Sequence, residues 1–372
     1  MKRFFLSALV VVFMAASVGT AGAAGKPLEL KIQTAYANAS MYYKTLERTK
    51  QYIEGLSQNR IKVELYADGA VVKSPEIFDS VSMGIVNGGS CWTHWASGKH
   101  PAGILFSAPP GGNGMGFDQV SLMSWYWEGG GHALLNEYYQ QFAKLNIVAW
   151  TIMPQGPEPF GWFNKQYTTV AEINKVKFRS PPGIPAEVYK ELGMPVVSMP
   201  GGEIVPAAQR GVIDAGEWIG PAEDLTMGFA SVWKHYYLQG LHQVVAIGDI
   251  YLNKKWYDAL PADLKQVIEI SIKATVADQY HSNISLHSKA LETLVRDHGV
   301  ILEETPAEYY PAYMAAAKKV IAKYLADPFF KKVYDAQMAW AKQTVPYQMR
   351  VNGLYYQMGK TAMADGVVTD YK

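Results

Sequence analysis

Runs with the period of a β-strand alternate with helical segments in the first quarter of this chain. Leu28–Ala35, Ile61–Tyr66 and Ile85–Cys91 carry the strand pattern. Ser40 and Ser74 precede the two intervening segments and are predicted to cap helices there. A β-α-β-α-β order is typical of an open, largely parallel sheet covered by helices. The pattern therefore predicts an α/β fold.

A second repeat of the same kind follows a proline-rich segment. Pro154–Pro159 holds three prolines in six residues and is predicted to be a rigid crossover between domains. Strands are predicted at Val176–Arg179, Val196–Met199 and Val212–Ala215, with helices between them. Val244–Leu252 is a long apolar run that we expect to return to the first domain.

The last third of the chain is predicted to be helical. A helix opening at Pro261 extends to Arg296, which corresponds to ~50 Å at the usual helical rise. That length exceeds one small domain, so the helix should bridge both domains or reach a partner subunit. Further helices are predicted at Pro306–Leu325, Pro328–Gln343 and Gln348–Gly359.

These patterns divide the chain into four parts. Residues 1–23 are a predicted signal peptide, and residues 24–153 with about 244–260 form a first α/β domain. Residues 154–243 form a second α/β domain, and residues 261–372 supply the bridging helix and the C-terminal helices. Two α/β domains joined by crossing strands predict a ligand cleft between them.

The N-terminus has the three regions of a secretory signal. Lys2 and Arg3 precede the apolar run Phe4–Ala16, and Ala21-Gly22-Ala23 forms a small-x-small cleavage site. An uncleaved anchor is the alternative, but the apolar run is short for a membrane span. We expect an exported protein.

Charge and cysteine content exclude several classes of protein. The formal net charge is +1, which argues against a nucleic-acid-binding surface. Cys91 is the single cysteine, so the chain cannot form an intramolecular disulfide, and we expect a buried structural thiol. No sequence motif of a hydrolase, zinc protease or nucleotide-binding enzyme is present. The sequence therefore predicts a protein that is not an enzyme.

Aromatic, glycine and proline residues crowd the stretch Trp92–Gly131, which is predicted to be a long irregular connection. One interpretation is a loop packed over the sheet by its own aromatic side chains. The other is a wall of the ligand pocket, in which Trp125, Tyr126 and Trp127 close the apolar end. The sequence favours neither interpretation over the other.

Arg179 stands at the end of a predicted strand, where open α/β sheets bind their ligands. A guanidinium in a cleft holds a carboxylate through two parallel hydrogen bonds. A salt bridge on the domain surface is the alternative. The strand-end position favours a contact with the ligand.

Glu217 and Trp218 follow the next predicted strand. A carboxylate with neutral oxygens can hold a hard cation such as Na⁺ or Ca²⁺, and Gln155 and Gln243 are available as neutral donors. Ordinary packing of a satisfied carboxylate is the alternative, and it is the better reading of this pair alone.

A central motif is formed by four stretches of the sequence: Phe178-Arg179-Ser180-Pro181, Pro200-Gly201-Gly202-Glu203, Gln209–Ala215 and Glu217-Trp218. This motif resembles the extracytoplasmic solute-binding proteins of TRAP transporters. Within that family it is most similar to the branch that binds 2-oxo and 2-hydroxy monocarboxylates such as pyruvate and lactate.

The resemblance implies a fold and a set of site residues. The fold is a periplasmic-binding-protein-like pair of α/β domains that closes on its ligand. Arg179 matches the arginine that clamps the substrate carboxylate, and Gln155 matches a further substrate or metal contact. The cation ligands match the Glu217 side chain, the Trp218 carbonyl and Gln243. Relatives carry an acid or an amide at the last position, which leaves Na⁺ and Ca²⁺ open.

We therefore expect a periplasmic protein that binds a small 2-oxo or 2-hydroxy monocarboxylate and delivers it to TRAP membrane subunits. Arg179, Gln155, Trp218 and Trp125 are the predicted substrate contacts. The alternatives are a larger aromatic or dicarboxylic ligand without a cation, a ligand-sensing partner of a receptor, and an exported metal-dependent enzyme. The resemblance also implies a homodimer formed through an exchanged C-terminal helix, for which Gln348–Gly359 is the candidate segment.

Overall fold

A computed structural model describes residues 26–371 of the chain. The predicted signal peptide, residues 1–23, lies outside the described residues. The described strands form two sheets. In chain order they are β1 (Leu28–Thr34), β2 (Ile61–Tyr66), β3 (Gly88–Trp92), β4 (Ile147–Gln155), β5 (Gly161–Phe163), β6 (Phe178–Arg179), β7 (Val196–Val197), β8 (Ala215–Gly216), β9 (His235–Tyr237), β10 (Ala246–Asn253) and β11 (Ile301–Glu303).

Helices cover both sheets and supply the C-terminal third. In chain order they are α1 (Met41–Leu56), α2 (Ile77–Met83), α3 (Gly103–Ser107), α4 (Gln119–Glu128), α5 (Gly131–Glu137), α6 (Val170–Ile173), α7 (Ile184–Glu191), α8 (Gly201–Gln209), α9 (Pro221–Met227), α10 (Lys254–Asp258), α11 (Ala262–His298), α12 (Tyr309–Tyr324) and α13 (Pro328–Ala364). Short 3₁₀ and π-helical turns connect several of them. The predicted α/β class is confirmed.

The first sheet has the strand order β2-β1-β3-β10-β4. Strand β1 runs parallel to β2 and β3, whereas β10 is antiparallel to both of its neighbours. The predicted return of the chain to the first sheet is thus confirmed by β10, which is buried along its whole length. Cys91 on β3 is fully buried, as expected for a structural thiol.

The second sheet has the order β11-β9-β5-β8-β6-β7. Strands β7 and β8 flank β6 and run parallel to it, so that Arg179 lies beside Val197 on one side and Gly216 on the other. Buried aromatic rings such as Phe160 and Phe178 pack beneath these strands. The short strands bring three chain segments to one end of the sheet, where the predicted site residues Arg179, Glu217 and Trp218 lie.

The stretch Trp92–Gly131 differs from its predicted irregular form. It contains helices α3 and α4, and the Asp118 side chain caps α4 by accepting a hydrogen bond from the Ser121 amide at 2.7 Å. A left-handed turn at residues 111–113 joins the two helices. The aromatic side chains that suggested a loop instead fill the interior between helix and sheet.

Helix α11 is the predicted bridging helix. It contacts α1 and β4 of the first half and α9 of the second. Leu264 and Ile268 near its start belong to the core beneath the first sheet, and Leu291 and Leu294 near its end belong to a core beneath the second. One helix therefore connects both halves. The domain boundaries near residues 153 and 244 stay a prediction.

The C-terminal segment differs from prediction in one respect. The two helices expected at Pro328–Gln343 and Gln348–Gly359 are a single helix, α13, that continues through Pro346. Its buried positions end at Ala341, and the following turns extend away from the core. Within residues 26–371 no helix has the length and apolar character needed to cross a membrane.

Candidate functional site

Arg179 is the centre of a buried polar cluster at the end of β6. Its side chain is 7% exposed, and its Nε and Nη2 atoms donate to the Met199 carbonyl at 3.1 and 2.9 Å. Its Nη1 atom donates to the Glu217 carbonyl at 3.3 Å and also to the Glu217 carboxylate. The guanidinium is therefore held by both parallel neighbours of its strand.

Glu217 follows β8 directly, and this places its carboxylate beside Arg179. The other carboxylate oxygen, Oε2, lies 3.4 Å from His242 Nε2. Burial opposes the ionisation of Glu217, but Arg179 and His242 together hold the pKa of that carboxyl below its usual range. Glu217 is consequently a buried anion with two basic neighbours.

Glu158 and His242 complete the cluster. Neither residue was predicted from the sequence to belong to the site. His242 Nε2 lies 3.3 Å from Glu158 Oε2, and both side chains are buried. Burial raises the pKa of Glu158 to about 7, against the lowering effect of His242. Burial alone would lower the pKa of His242, but hydrogen bonding and charge from the two carboxylates raise it to about 9. The cluster thus pairs two acids with two bases.

Backbone contacts bring the two missed residues together. The Glu158 amide donates to the Gln243 carbonyl at 3.1 Å, which ties the proline-rich segment to the start of the return strand. Gly240 permits this approach, because a Cβ atom there would lie 2.4 Å from the Glu158 carbonyl oxygen. An acid enclosed between Pro157 and Pro159 was the available sequence signal for Glu158.

Trp218 covers the outer side of Arg179. The guanidinium carbon lies 5.2 Å from the centre of the indole ring, within the range of a cation–π interaction. Gly201 makes room for the ring, because a Cβ atom at that position would lie 2.4 Å from Trp218 Cη2. The first turn of α8 and the end of β8 therefore position Arg179 and Trp218 jointly.

The two predicted glutamines have different surroundings. Gln155 ends β4, and its Oε1 atom accepts from the Tyr42 hydroxyl at 2.9 Å while its Nε2 donates to the Ile219 carbonyl at 3.2 Å. Its hydrogen bonds therefore connect the first half to the segment before α9. Gln243 is 4% exposed and follows His242, so it lies beside the acidic cluster.

Trp125 is not brought to the Arg179 cluster by its packing. Its ring is fully buried on α4, where it contacts Phe106 and Tyr126. The structure instead forms an aromatic wall near Gln155 from three other side chains. Tyr42 lies 5.2 Å from both Tyr36 and Trp92, measured between ring centroids.

The cluster has the chemistry of a cation site. Glu158, Glu217 and His242 each offer one ligand atom within 4.8 Å of the others. The Nδ1 atom of His242 has no hydrogen-bond partner within the described residues. Carboxylate and carbonyl oxygens are the donors that Na⁺ and Ca²⁺ prefer. The residues present therefore fit a hard cation beside the arginine.

Comparisons with known proteins identify the family of the chain. Residues 32–327 match the profile of the bacterial extracellular solute-binding proteins of family 7. The monocarboxylate 2-oxoacid-binding periplasmic protein of Nostoc sp. (strain PCC 7120) is 28% identical over 319 residues, which cover 84% of this chain and 83% of that protein.

Solved structures of TRAP transporter solute-binding proteins have the same fold. A Bordetella bronchiseptica protein with calcium and picolinate has a TM-score of 0.82 and 23% identity, covering 91% of this chain and 99% of its own. Proteins from Pseudoalteromonas atlantica, with sodium and pyruvate, and Colwellia psychrerythraea, with calcium and pyruvate, have TM-scores of 0.80 and 0.81. Both are 24% identical and cover 89% of this chain and 99% of their own. The chain therefore belongs to family 7 of the bacterial extracellular solute-binding proteins, and it has the fold of solved TRAP transporter solute-binding proteins, as its central motif predicted.

Proposed function

We propose that this protein binds a small 2-oxo or 2-hydroxy monocarboxylate together with a cation and delivers the acid to TRAP membrane subunits from the periplasm. The observation that carries the proposal is the buried contact between Arg179 and Glu217. It joins the group suited to a carboxylate and the group suited to a cation in one site. The protein binds its ligand without transforming it, in keeping with its family of receptors.

Charge balance supports a joint binding of acid and cation. Arg179 and His242 offset Glu158 and Glu217 within the buried cluster. A monocarboxylate adds one buried negative charge, which is costly unless it is paired. A cation on Glu217 offsets that charge and also frees the guanidinium from one of its present partners. The acid and the cation should therefore strengthen each other's binding.

The proposed cation ligands are the Glu217 side chain, the Trp218 carbonyl and Gln243. Glu158 adds a second carboxylate beside them, and this compensates for the neutral side chain at Gln243. Related structures hold either ion, since those with pyruvate contain sodium in one case and calcium in another. Calcium usually takes more carboxylate ligands than the monovalent ion, so Glu158 favours Ca²⁺.

The proposed acid contacts are Arg179 on the carboxylate and Trp218 beside it. Gln155 reaches the same cleft from the other half, where the aromatic wall around Tyr42 supports it. Trp125 would support the ligand site indirectly, through its packing in the hydrophobic core. Small acids suit the arrangement because its polar groups are already buried at short distances from one another.

An aromatic monocarboxylate is the second candidate ligand. The Bordetella relative holds picolinate with calcium, and Trp218 offers this chain a ring on which an aromatic acid could stack. Titration calorimetry with pyruvate, lactate, picolinate and succinate, each with Ca²⁺, Na⁺ or EDTA, separates the candidates. Tightest binding of pyruvate or lactate supports the proposal, and tightest binding of succinate contradicts it.

The proposed assembly is a homodimer through the second half of α13. This half, residues 347–364, has an apolar exposed surface, and Leu354, Tyr355 and Met358 are each more than half exposed. An exposed apolar surface of this kind is typical of an interaction site. A relative of this chain was crystallised as a dimer.

A further inference from the structure

Helix α9 lies between the two halves of the molecule and is attached firmly to the second. Asp224 is buried in this helix, and its Oδ2 atom accepts from Trp162 Nε1 on β5 and from the Tyr236 hydroxyl on β9, both at 2.8 Å. Its Oδ1 atom accepts from the Gly220 amide at 2.9 Å. Two of these hydrogen bonds fix α9 to the second sheet, and the third holds the start of the helix.

The neighbouring acid, Glu223, reaches the other half. Its Oε1 atom accepts from the Met41 amide at 2.9 Å and from the Ser40 hydroxyl at 3.1 Å. These groups form the start of α1, where helix amides lack partners within the helix and the helix dipole favours a negative charge. Ser40 itself caps the Tyr42 amide at 3.2 Å. Glu223 therefore accepts a hydrogen bond from the Met41 amide, which the cap formed by Ser40 does not bind.

The first turn of α1 also carries a wall of the proposed ligand site. Tyr42, the second residue of the helix, donates to Gln155 Oε1 and packs against Trp92. Because a helix turn moves as a unit, the contact at Met41 and the position of Tyr42 are linked. A shift of this turn away from α9 would withdraw the hydroxyl from Gln155.

We propose that Glu223 is a positioning residue for ligand binding, which holds the first turn of α1 against α9 and so keeps Tyr42 and Gln155 in place when the cleft is closed. This inference rests on the proposed binding of a small acid in the cleft. Asp224 fixes α9 to the second half, and Glu223 binds the first half. We call these contacts of Glu223 with Ser40 and Met41 the latch. Opening the cleft breaks the contacts of Glu223 while those of Asp224 remain.

A latch of this kind acts mainly on the dissociation rate. The ligand enters the open cleft, and the hydrogen bonds of Glu223 form whenever the cleft closes, with or without ligand, so their loss speeds opening and leaves the encounter unchanged. One partly buried pair of hydrogen bonds to a charged group corresponds to about a tenfold change in affinity. The carbonyl oxygen of a glutamine at this position keeps both acceptor contacts.

The test uses the full mature chain with pyruvate and Ca²⁺, followed by stopped-flow tryptophan fluorescence. Glu223→Ala should raise the dissociation rate about tenfold while the association rate and the melting temperature without ligand stay near those of the wild type. Glu223→Gln should retain most of the slow dissociation. Glu308→Ala removes an exposed acid at the start of α12, away from the cluster, and serves as the matched control. Unchanged dissociation in Glu223→Ala, or equal acceleration in Glu223→Gln, overturns the proposal.

A measurement without ligand separates the latch from the proposed function. Hydrogen exchange of the peptide around Met41 and Tyr42 should be faster in unliganded Glu223→Ala than in the wild type and in Glu308→Ala. If the wild type fails to bind pyruvate, the proposed function fails, and this exchange then decides the latch alone. Equal exchange in all three proteins overturns it.

Discussion

The Glu217 carboxylate binds the Arg179 guanidinium at the ends of two adjacent parallel strands. Arg179 pairs with Gly216 in the sheet, so Glu217 lies one residue beyond the end of β8. The register of the two strands therefore determines the contact between Glu217 and Arg179. The group expected to bind an anion and the group expected to bind a cation therefore neutralise each other. Binding of an acid to Arg179 changes the environment of Glu217, and binding of a cation to Glu217 changes the environment of Arg179.

Replacing Arg179 should abolish ligand binding. Arg179→Ala removes the fork that holds a carboxylate, and we expect pyruvate to bind at least about 100-fold more weakly by titration calorimetry. It also leaves Glu217 with one basic neighbour fewer, so the free energy of unfolding should fall by a few kcal/mol. Arg296→Ala, at an exposed position on α11, is the control and should change neither quantity. Retained affinity in Arg179→Ala would refute the assignment.

The two acids of the cluster should both affect binding of the cation. Glu217→Gln keeps an acceptor for Arg179 but loses the charge, so pyruvate affinity should become insensitive to Ca²⁺. Glu158→Gln should weaken Ca²⁺ binding about tenfold, because one carboxylate near the ion is lost. Calorimetric titrations of Ca²⁺ with saturating pyruvate measure both effects. A Glu158→Gln protein with the Ca²⁺ affinity of the wild type would remove Glu158 from the site.

Two adjacent glycines offer a matched pair of variants. Gly201→Ala places a Cβ atom against the Trp218 ring and should displace it from Arg179, with about a tenfold loss of pyruvate affinity. Gly202→Ala meets no atom within 4 Å and should bind as the wild type does, with slightly higher stability from its better helix propensity. Equal affinities of the two variants would show that the position of Trp218 does not matter for binding.

Asp249 predicts a pH dependence of stability. It lies in the core of the first half with Thr93 and with the Tyr139 hydroxyl at 2.7 Å, and burial raises its pKa to about 7. The folded protein therefore binds a proton that the unfolded chain releases near pH 4. Between about pH 4 and 7 this residue lowers the free energy of unfolding as pH rises, by roughly 1.4 kcal/mol per unit.

Urea unfolding at several pH values measures this contribution as a difference between proteins. Asp249→Asn lacks the titrating group, so its stability relative to the wild type should increase from pH 4.5 to pH 7.5. Asp335→Asn, which alters an exposed carboxyl on α13, should follow the wild type across that range. Parallel profiles for Asp249→Asn and the wild type would contradict the buried proton.

The exposed end of α13 predicts the state of assembly. Leu354→Glu combined with Met358→Glu places two charges on its apolar surface and should convert a dimer into a monomer, measured by light scattering after size exclusion. Pyruvate affinity should not change, because this segment lies outside the cleft cluster. Gln343→Glu, on the polar part of the same helix, is the control. A wild-type protein that elutes as a monomer would refute the proposed dimer.

The position of Arg179 could be predicted from the sequence because strand ends are local features. Glu217 required the resemblance, since a glutamate after a strand is by itself ordinary. Glu158 and His242 were missed because their contact joins segments more than eighty residues apart in the chain. The pairing of β5 with β9 and the backbone bond between Glu158 and Gln243 bring them together, and no local sequence pattern predicts either contact.

Local sequence patterns gave wrong predictions for two elements, α4 and α13. Glycine and aromatic content suggested a loop at α4, although Asp118 and Gly129 are proper boundaries for a helix. Separate helices were predicted on either side of residues 344–347, but α13 continues through Pro346, where the proline removes one helical hydrogen bond. The residue whose carbonyl loses its partner, Lys342, is exposed, and water can replace the missing amide.

Coupling between pyruvate and the cation tests the central claim most directly. The measurement is the Kd of pyruvate by titration calorimetry in a sodium-free, chelated buffer, and again after addition of saturating Ca²⁺ or Na⁺. We predict that at least one cation tightens pyruvate binding tenfold or more, and that pyruvate tightens that cation's binding by the same factor. Equal pyruvate affinity in all three buffers would contradict a site in which Arg179 and Glu217 exchange their mutual contact for an acid and a cation.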